Sequence, residues 1–309
     1  MQRTLRRRRA PTLDGTAFDG TAFDGTAFGG AGFEGAGFDG AGFGGVVPDG
    51  VVPVPTRIPR TSEPWQERNG RAVTGRCPGM GITMREGYEG TGPGALTPDG
   101  CAVELYARLP VGDEPDVIAA AVPAGARVLE LGSGVGRVTH PLLERGFTVT
   151  AVDESVDMLA RVRGARTICT RIEHLDLGET FDVVLLASFL VHAGDEEVRR
   201  GMLRACARHV AEGGCVLIQR EGPDYHTDVP RERVDPSGFT VRIASVEPAG
   251  DGVNSVRAEY EFPDAAWTQT FLARPLTKEQ FESALAEAGL EVDAYLTPDG
   301  MWVRAVPVA

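Results

Sequence analysis

Apolar positions along the middle of the chain follow two alternating spacings. Arg127 to Leu131, Phe147 to Val152, Phe181 to Ala187 and Cys215 to Gln219 are short, nearly continuous apolar or β-rich runs, the pattern of strands buried on both faces. Between them apolar residues recur at helical spacing, as Val138, Leu142 and Leu143, then Val156, Met158, Leu159 and Val162, then through Asp195 to Glu212 before Gly213-Gly214. A further short run, Arg166 to Glu173, brings the strands to five over about residues 100–220. Strands alternating with helices predict a parallel, doubly wound sheet that binds ligands at the carboxyl ends of its strands.

The pattern then changes. Phe239 to Val246, Val253 to Phe262 and Trp267 to Ala273 read as three antiparallel strands, the first two joined by the hairpin signal Gly250-Asp251-Gly252. A helix over Thr277 to Ala288 stops at Gly289, a residue type suited to the left-handed position after a helix. Leu290 to Leu296 and Met301 to Val306 form a closing hairpin around Thr297-Pro298-Asp299-Gly300.

The first strand, Arg127 to Leu131, runs into three alternate glycines, Gly132, Gly134 and Gly136. Glycines at a strand-to-helix turn admit positive φ and let a ligand approach the backbone. A dinucleotide fingerprint requires a further glycine where this chain has Arg137. The second strand ends at Asp153, 21 residues beyond Gly132, where a carboxylate can accept hydrogen bonds from ribose hydroxyls. The plainer reading of Asp153 is a helix-capping acid.

Glu130-x-Gly132-x-Gly134-x-Gly136, followed in order by Asp153 and three further strands, resembles the motifs of class I S-adenosylmethionine (SAM) dependent methyltransferases. The resemblance implies a Rossmann-like α/β fold with a doubly wound sheet, a C-terminal antiparallel hairpin, and a three-stranded antiparallel insertion after the fifth strand. It implies SAM as cofactor, cradled by Glu130, Gly132, Ser133, Gly134 and Gly136. It further implies Asp153 and Glu154 at the ribose, Met158 on the adenine side, and Ser188 at the sheet edge facing the transferable methyl group. The acid usual at the adenine amino group is replaced by Arg171, which shifts the expected contacts to Ile172 and Glu173. Tyr106, on a helix expected over Ala102 to Leu109, matches a tyrosine that covers the methionine end of the cofactor. Packing against the sheet remains the alternative for both Met158 and Tyr106. The insertion, about residues 237–273, is expected to cover the acceptor pocket. Tyr260, Phe262 and Trp267 either line that pocket or fill the insertion's own core.

An oxygen or protonated nitrogen acceptor must lose a proton, ideally to a base with pKa near neutral. His192, just past the fourth strand, is the first candidate, against a plain loop histidine. Glu221, Tyr225 and His226, beyond the fifth strand, are weaker ones.

Residues 1–84 are different material. Asp14 to Phe43 is six pentads with phenylalanine every fifth residue, preceded by the block Arg6 to Arg9. Too few repeats are present for a stacked solenoid to bury a continuous core, so a disordered low-complexity tail is expected. A start downstream, at Met80 or Met84, is the other reading. Ten arginines and eight acids before residue 85 leave 21 basic and 36 acidic residues after it. So acidic a domain, expected over 85–309, is poorly matched to phosphate backbones. Nucleic acid is therefore disfavoured as partner, and a small-molecule acceptor, with specialised metabolites as one class, is expected. No apolar run is long enough to span a membrane. Five scattered cysteines without a C-x-x-C pair suggest reduced thiols, no metal framework and a cytoplasmic setting. Two other readings stand beside a small-molecule methyltransferase: a SAM-binding protein without catalysis, and an RNA methyltransferase using the arginine-rich tail.

Overall fold

The computed structural model describes residues 83–308. The pentads, the arginine block and Met80 lie outside the described residues, as does the expectation of disorder attached to them. In chain order the elements are β1 (Glu89–Thr91), α1 (Val103–Tyr106), α2 (Glu114–Ala121), β2 (Arg127–Leu131), α3 (Thr139–Glu144), β3 (Thr148–Asp153), α4 (Val156–Leu159), β4 (Arg166–Cys169), β5 (Phe181–Leu186), α5 (Glu196–His209) and β6 (Val210–Gln219). There follow β7 (Arg231–Val234), β8 (Thr240–Gly250), β9 (Val253–Phe262), β10 (Ala265–Ala273), α6 (Lys278–Glu287), β11 (Leu290–Tyr295) and β12 (Trp302–Pro307).

The apolar runs make a seven-stranded sheet of order β11-β12-β6-β5-β2-β3-β4. Strands β2 to β6 pair in parallel, while β12 pairs antiparallel with β6 and β11 with β12. Helices cover both faces, so Val183, Val184, Leu185 and Leu186 of β5 are all fully buried, as a strand sandwiched between two apolar layers requires. Local signals set the helix starts. Ser155 caps α4, Asp195 caps α5 by accepting from Glu197 and Val198 N–H, and Thr277 with Gln280 forms a capping box on α6.

The insertion is larger than its apolar pattern. It is an antiparallel sheet of order β1-β10-β9-β8-β7. Its edge strands, Glu89–Thr91 and Arg231–Val234, carry no apolar alternation and join through backbone pairing to β10 and β8. One of them therefore comes from ahead of the main sheet. Asp251 and Gly252 both have positive φ between β8 and β9, as a tight hairpin turn demands.

Three expectations need correcting. The helix over Ala102 to Leu109 contracts to Val103–Tyr106. Helix α5 ends at His209, and Gly213-Gly214 sit inside β6 at a register shift opposite β5 rather than ahead of the strand. A Cβ on Gly214 would lie 2.7 Å from the Asp182 carbonyl oxygen, so the close strand approach accounts for that glycine. Nor are all the described cysteines thiols: Cys101, Cys206 and Cys215 are free, but Cys169 is disulfide-bonded. Among the described residues no helix is long and apolar enough to cross a membrane.

Candidate active site

The three glycines after β2 adopt φ of +75°, +54° and +88°, conformations that other residues seldom take. They do different work. A Cβ on Gly132 would meet Leu190 at 2.6 Å and one on Gly136 would meet the His140 ring at 2.7 Å, whereas one on Gly134 would meet nothing within 4 Å. Gly134 is thus the open floor of the cradle. Gly136 is not among the residues lining the cavity; its positive φ and the nearby His140 ring account for a glycine there.

One cavity of about 930 Å³ runs from this cradle to the inner face of the five-stranded sheet, toward the upper end for small-molecule sites. Tyr106, Glu130, Gly132, Ser133, Gly134, Asp153, Glu154, Met158, Ile172, Glu173, Ser188, His192, Glu221 and Tyr225 all line it. The fold therefore brings together the expected site residues other than Gly136 and His226.

The cofactor side is acidic and built from the sheet edge. Glu130 is buried and accepts a 2.5 Å hydrogen bond from the Thr139 hydroxyl; burial raises its carboxyl to about 7. Asp153 accepts from the backbone N–H groups of Gly134 and Ser155, both at 2.8 Å, and burial raises it to about 6. Desolvation thus outweighs two hydrogen bonds that favour the charged form. Arg171 pairs with Glu173 at 2.7 Å and approaches Glu154 at 3.9 Å, so it neutralises the acids on its rim. Met158 is buried with Val103 and Val135, with Tyr106 packed against them, yet Met158 and Tyr106 also reach the cavity. Both residues therefore pack in a buried cluster and also face the cavity.

At the end of β5, Ser188 and Phe189 have φ of +53° and +60°. Two successive non-glycine residues in that region are costly and are held there by their surroundings. Ser188 N–H donates to the Gln219 side-chain oxygen at 2.8 Å, and the Phe189 ring lies 5.9 Å from that of Tyr225.

His192 is buried with both ring nitrogens engaged. Nε2 accepts from the Glu221 N–H at 3.1 Å and Nδ1–H donates to the Arg274 carbonyl at 2.9 Å. Burial lowers its pKa, which keeps the ring neutral. The Glu221 carboxylate lies 3.2 Å from His192 Nδ1 and 2.7 Å from His226 Nε2, and the Asn254 amide lies 3.2 Å from His226 Nδ1. Of these groups His192 and Glu221 reach the cavity and His226 does not.

The aromatic residues of the insertion divide. Tyr260 lines the cavity, whereas Phe262 stacks on Phe239 at 4.6 Å and packs edge-on to Trp267, whose Nε1–H donates to the Pro93 carbonyl. Arg85, Asp99, Cys101, Phe189, Gln219, Arg233 and Gln269 also line the cavity and carry no motif. Strand-end placement was a usable signal for Gln219 alone.

Residues 128–214 match the family model described as a methyltransferase domain. The strand order and the glycine cradle at the end of β2 agree with it. Residues 128–214 thus carry a methyltransferase domain. In sequence, the domain is 33% identical over 103 residues to a ubiquinone biosynthesis O-methyltransferase of Rhizobium leguminosarum, covering 30% of this chain and 40% of that protein. The chain thus spans about two fifths of the length of that curated relative. In structure, it superposes on a SAM-dependent methyltransferase from Clostridium acetobutylicum with TM-score 0.54, 16% identity, and coverage of 66% of this chain and 94% of that one. It also matches the SAM-bound amino pentose methyltransferase of Micromonospora echinaspora, involved in calicheamicin biosynthesis, with TM-score 0.50, 24% identity, and coverage of 63% and 89%. At these identities the structural likeness concerns the fold.

Proposed function

We propose that the protein moves the methyl group of SAM to an oxygen or nitrogen of a small-molecule acceptor. One observation carries this reading: the glycine cradle and the inner face of the insertion sheet wall a single cavity. Cofactor and acceptor would therefore share one space partly screened from water.

The residues present suit SAM. The Ser133 hydroxyl is buried in the cavity wall without a hydrogen-bond partner among the described residues, and Gly134 leaves room beside it. Glu130, Gly132, Ser133 and Gly134 would hold the methionine end, and Asp153 with Glu154 the ribose. Met158, Ile172 and Glu173 would hold the adenine. When bound, SAM supplies an electrophilic methyl on a sulfonium. The chain's own contribution is then to orient the acceptor and exclude water, effects that can contribute up to roughly 7–11 kcal/mol. Glu221 is the group in the wall best suited to accept the acceptor's proton, with His226 and His192 steadying its carboxylate. His192, satisfied on both nitrogens, serves as a positioning residue, and Tyr225 shapes the wall beside Phe189. The relative named a ubiquinone biosynthesis O-methyltransferase supports oxygen as one receiving atom.

A non-catalytic SAM-binding role draws support from the saturated His192. The deciding experiment is calorimetric titration of the full chain with SAM and with its demethylated product, followed by methyl transfer from labelled SAM to a panel of small hydroxyl and amine compounds. Binding of both with transfer to at least one acceptor supports the proposal. Binding with no transfer to any favours the non-catalytic role, and absence of binding rejects both.

A further inference from the structure

The inward face of the insertion sheet is largely apolar, with Gln269 buried on β10 and arginines at the β7 edge. Cross-strand partners point to the same side of a sheet. The register sets Arg233 opposite Val241, Val241 opposite Tyr260, and Arg231 opposite Ile243. Val241, Tyr260 and Ile243 are buried, and Arg233, Val241 and Tyr260 line the cavity together with Phe239. Two arginines of an edge strand thus share the face that roofs the acceptor end.

Their situations differ. Arg231 donates to the Tyr225 and Asp228 carbonyls at 2.8 Å and lies 4.7 Å over the Tyr225 ring. Arg233 is half-buried and has neither hydrogen-bond nor ion-pair partner among the described residues. The chain carries a formal net charge of −13, so carboxylates to pair with an idle arginine are abundant. A guanidinium held against apolar walls is costly without an anion, and its planar fork suits an oxyanion.

Resting on the methyltransferase reading, we infer that Arg233 binds an anionic group of the acceptor, which is then an apolar or aromatic body carrying a carboxylate or phosphate. Phe239, Val241 and Tyr260 take the body, and Arg233 at the edge strand takes the charge. The anionic end therefore lies on the insertion side of the cavity, and the reacting atom points toward the sheet edge at Ser188 and Glu221.

The test uses the full chain, with and without saturating demethylated cofactor, titrated with 3-phenylpropionate, phenyl phosphate and the neutral 3-phenylpropionamide. We expect at least one anion to bind tenfold or more tightly than the amide, and the preferred anion identifies the oxyanion. Arg233→Gln should bring that anion down to the level of the amide while leaving cofactor affinity unchanged. Arg257→Gln, on an exposed position of β9, should retain the preference. Anions that bind no better than the amide, or an anion preference that survives Arg233→Gln, overturn the inference. Loss of cofactor binding by the unaltered chain counts instead against the methyltransferase reading, and the titrations without cofactor still decide the role of Arg233.

Discussion

Arg85 closes on Glu154 through contacts of 2.7 Å to both carboxylate oxygens, joining the segment ahead of the sheet to the rim of the cofactor side. The pair is about a quarter exposed, and behind Arg85 the same segment brings Tyr88, Asp99 and Cys101 to the cavity wall. The ion pair thus holds down one wall of the site.

Arg85→Ala should loosen that wall without disturbing the sheet. A charge-assisted contact at this exposure contributes about 1 kcal/mol, so SAM affinity should fall several-fold. Calorimetric Kd values beside thermal melts check this. A large drop in melting temperature would show instead that the segment supports the fold.

The acids of the cradle give a pH dependence with two signs. Burial raises Asp153 to about 6 and Glu130 to about 7, so both bind protons more tightly folded than unfolded. Their contribution to stability is present below about pH 4 and is lost as pH climbs through their folded values. In this window the cofactor-free chain should lose stability with rising pH. With Asp153 at the ribose as proposed, cofactor affinity should do the reverse, because ribose hydroxyls would donate to the ionised carboxylate. Titrations with demethylated cofactor from about pH 5 to 7 should show up to roughly a tenfold gain; a flat profile removes Asp153 from the ribose.

Gly201 in α5 is a less obvious determinant of the adenine wall. A Cβ there would lie 2.5 Å from the Glu173 Cβ, on the 3-10 turn Ile172–His174. Alanine gains about 1 kcal/mol in helix propensity, but overpacking costs about 1–3 kcal/mol, and the turn must shift. Gly201→Ala should therefore be net destabilising and should weaken SAM binding. Unchanged affinity in a folded variant would mean that the turn does not touch the cofactor.

Glu221→Gln tests the buried acid. Both imidazoles approach the same carboxylate oxygen, His226 Nε2 at 2.7 Å and His192 Nδ1 at 3.2 Å, so the amide oxygen can take that place and keep both contacts, with its NH₂ on the other side. A buried NH₂ left without an acceptor costs about 1–3 kcal/mol, read as a lower melting temperature. With Glu221 as proton acceptor, kcat should also fall by about 10² or more at unchanged SAM affinity. A kcat that merely tracks the folded fraction would leave Glu221 a structural role.

Sequence alone determined the seven-stranded sheet and the cofactor cradle, because both rest on local chemistry. Strands buried on both faces must be continuously apolar, and Gly132, Gly134 and Gly136 answer to φ values that few other residues adopt. The order of motifs then placed Asp153, Ile172 and Ser188 on one cavity without any knowledge of contacts. What only the tertiary structure decided are the relations between segments distant in the chain. Glu89–Thr91 and Arg231–Val234 became strands because edges of β10 and β8 were open to them, which no side-chain pattern signals. The His140 ring came to lie where a Cβ on Gly136 would be, at 2.7 Å. His192 was satisfied by Glu221 and Arg274, backbone groups 29 and 82 residues away. Arg233 stands out only once the register shows which face it shares with Val241. Periodicity records what a residue's own element needs; the partners that a folded surface supplies to a buried polar group are settled by long-range packing.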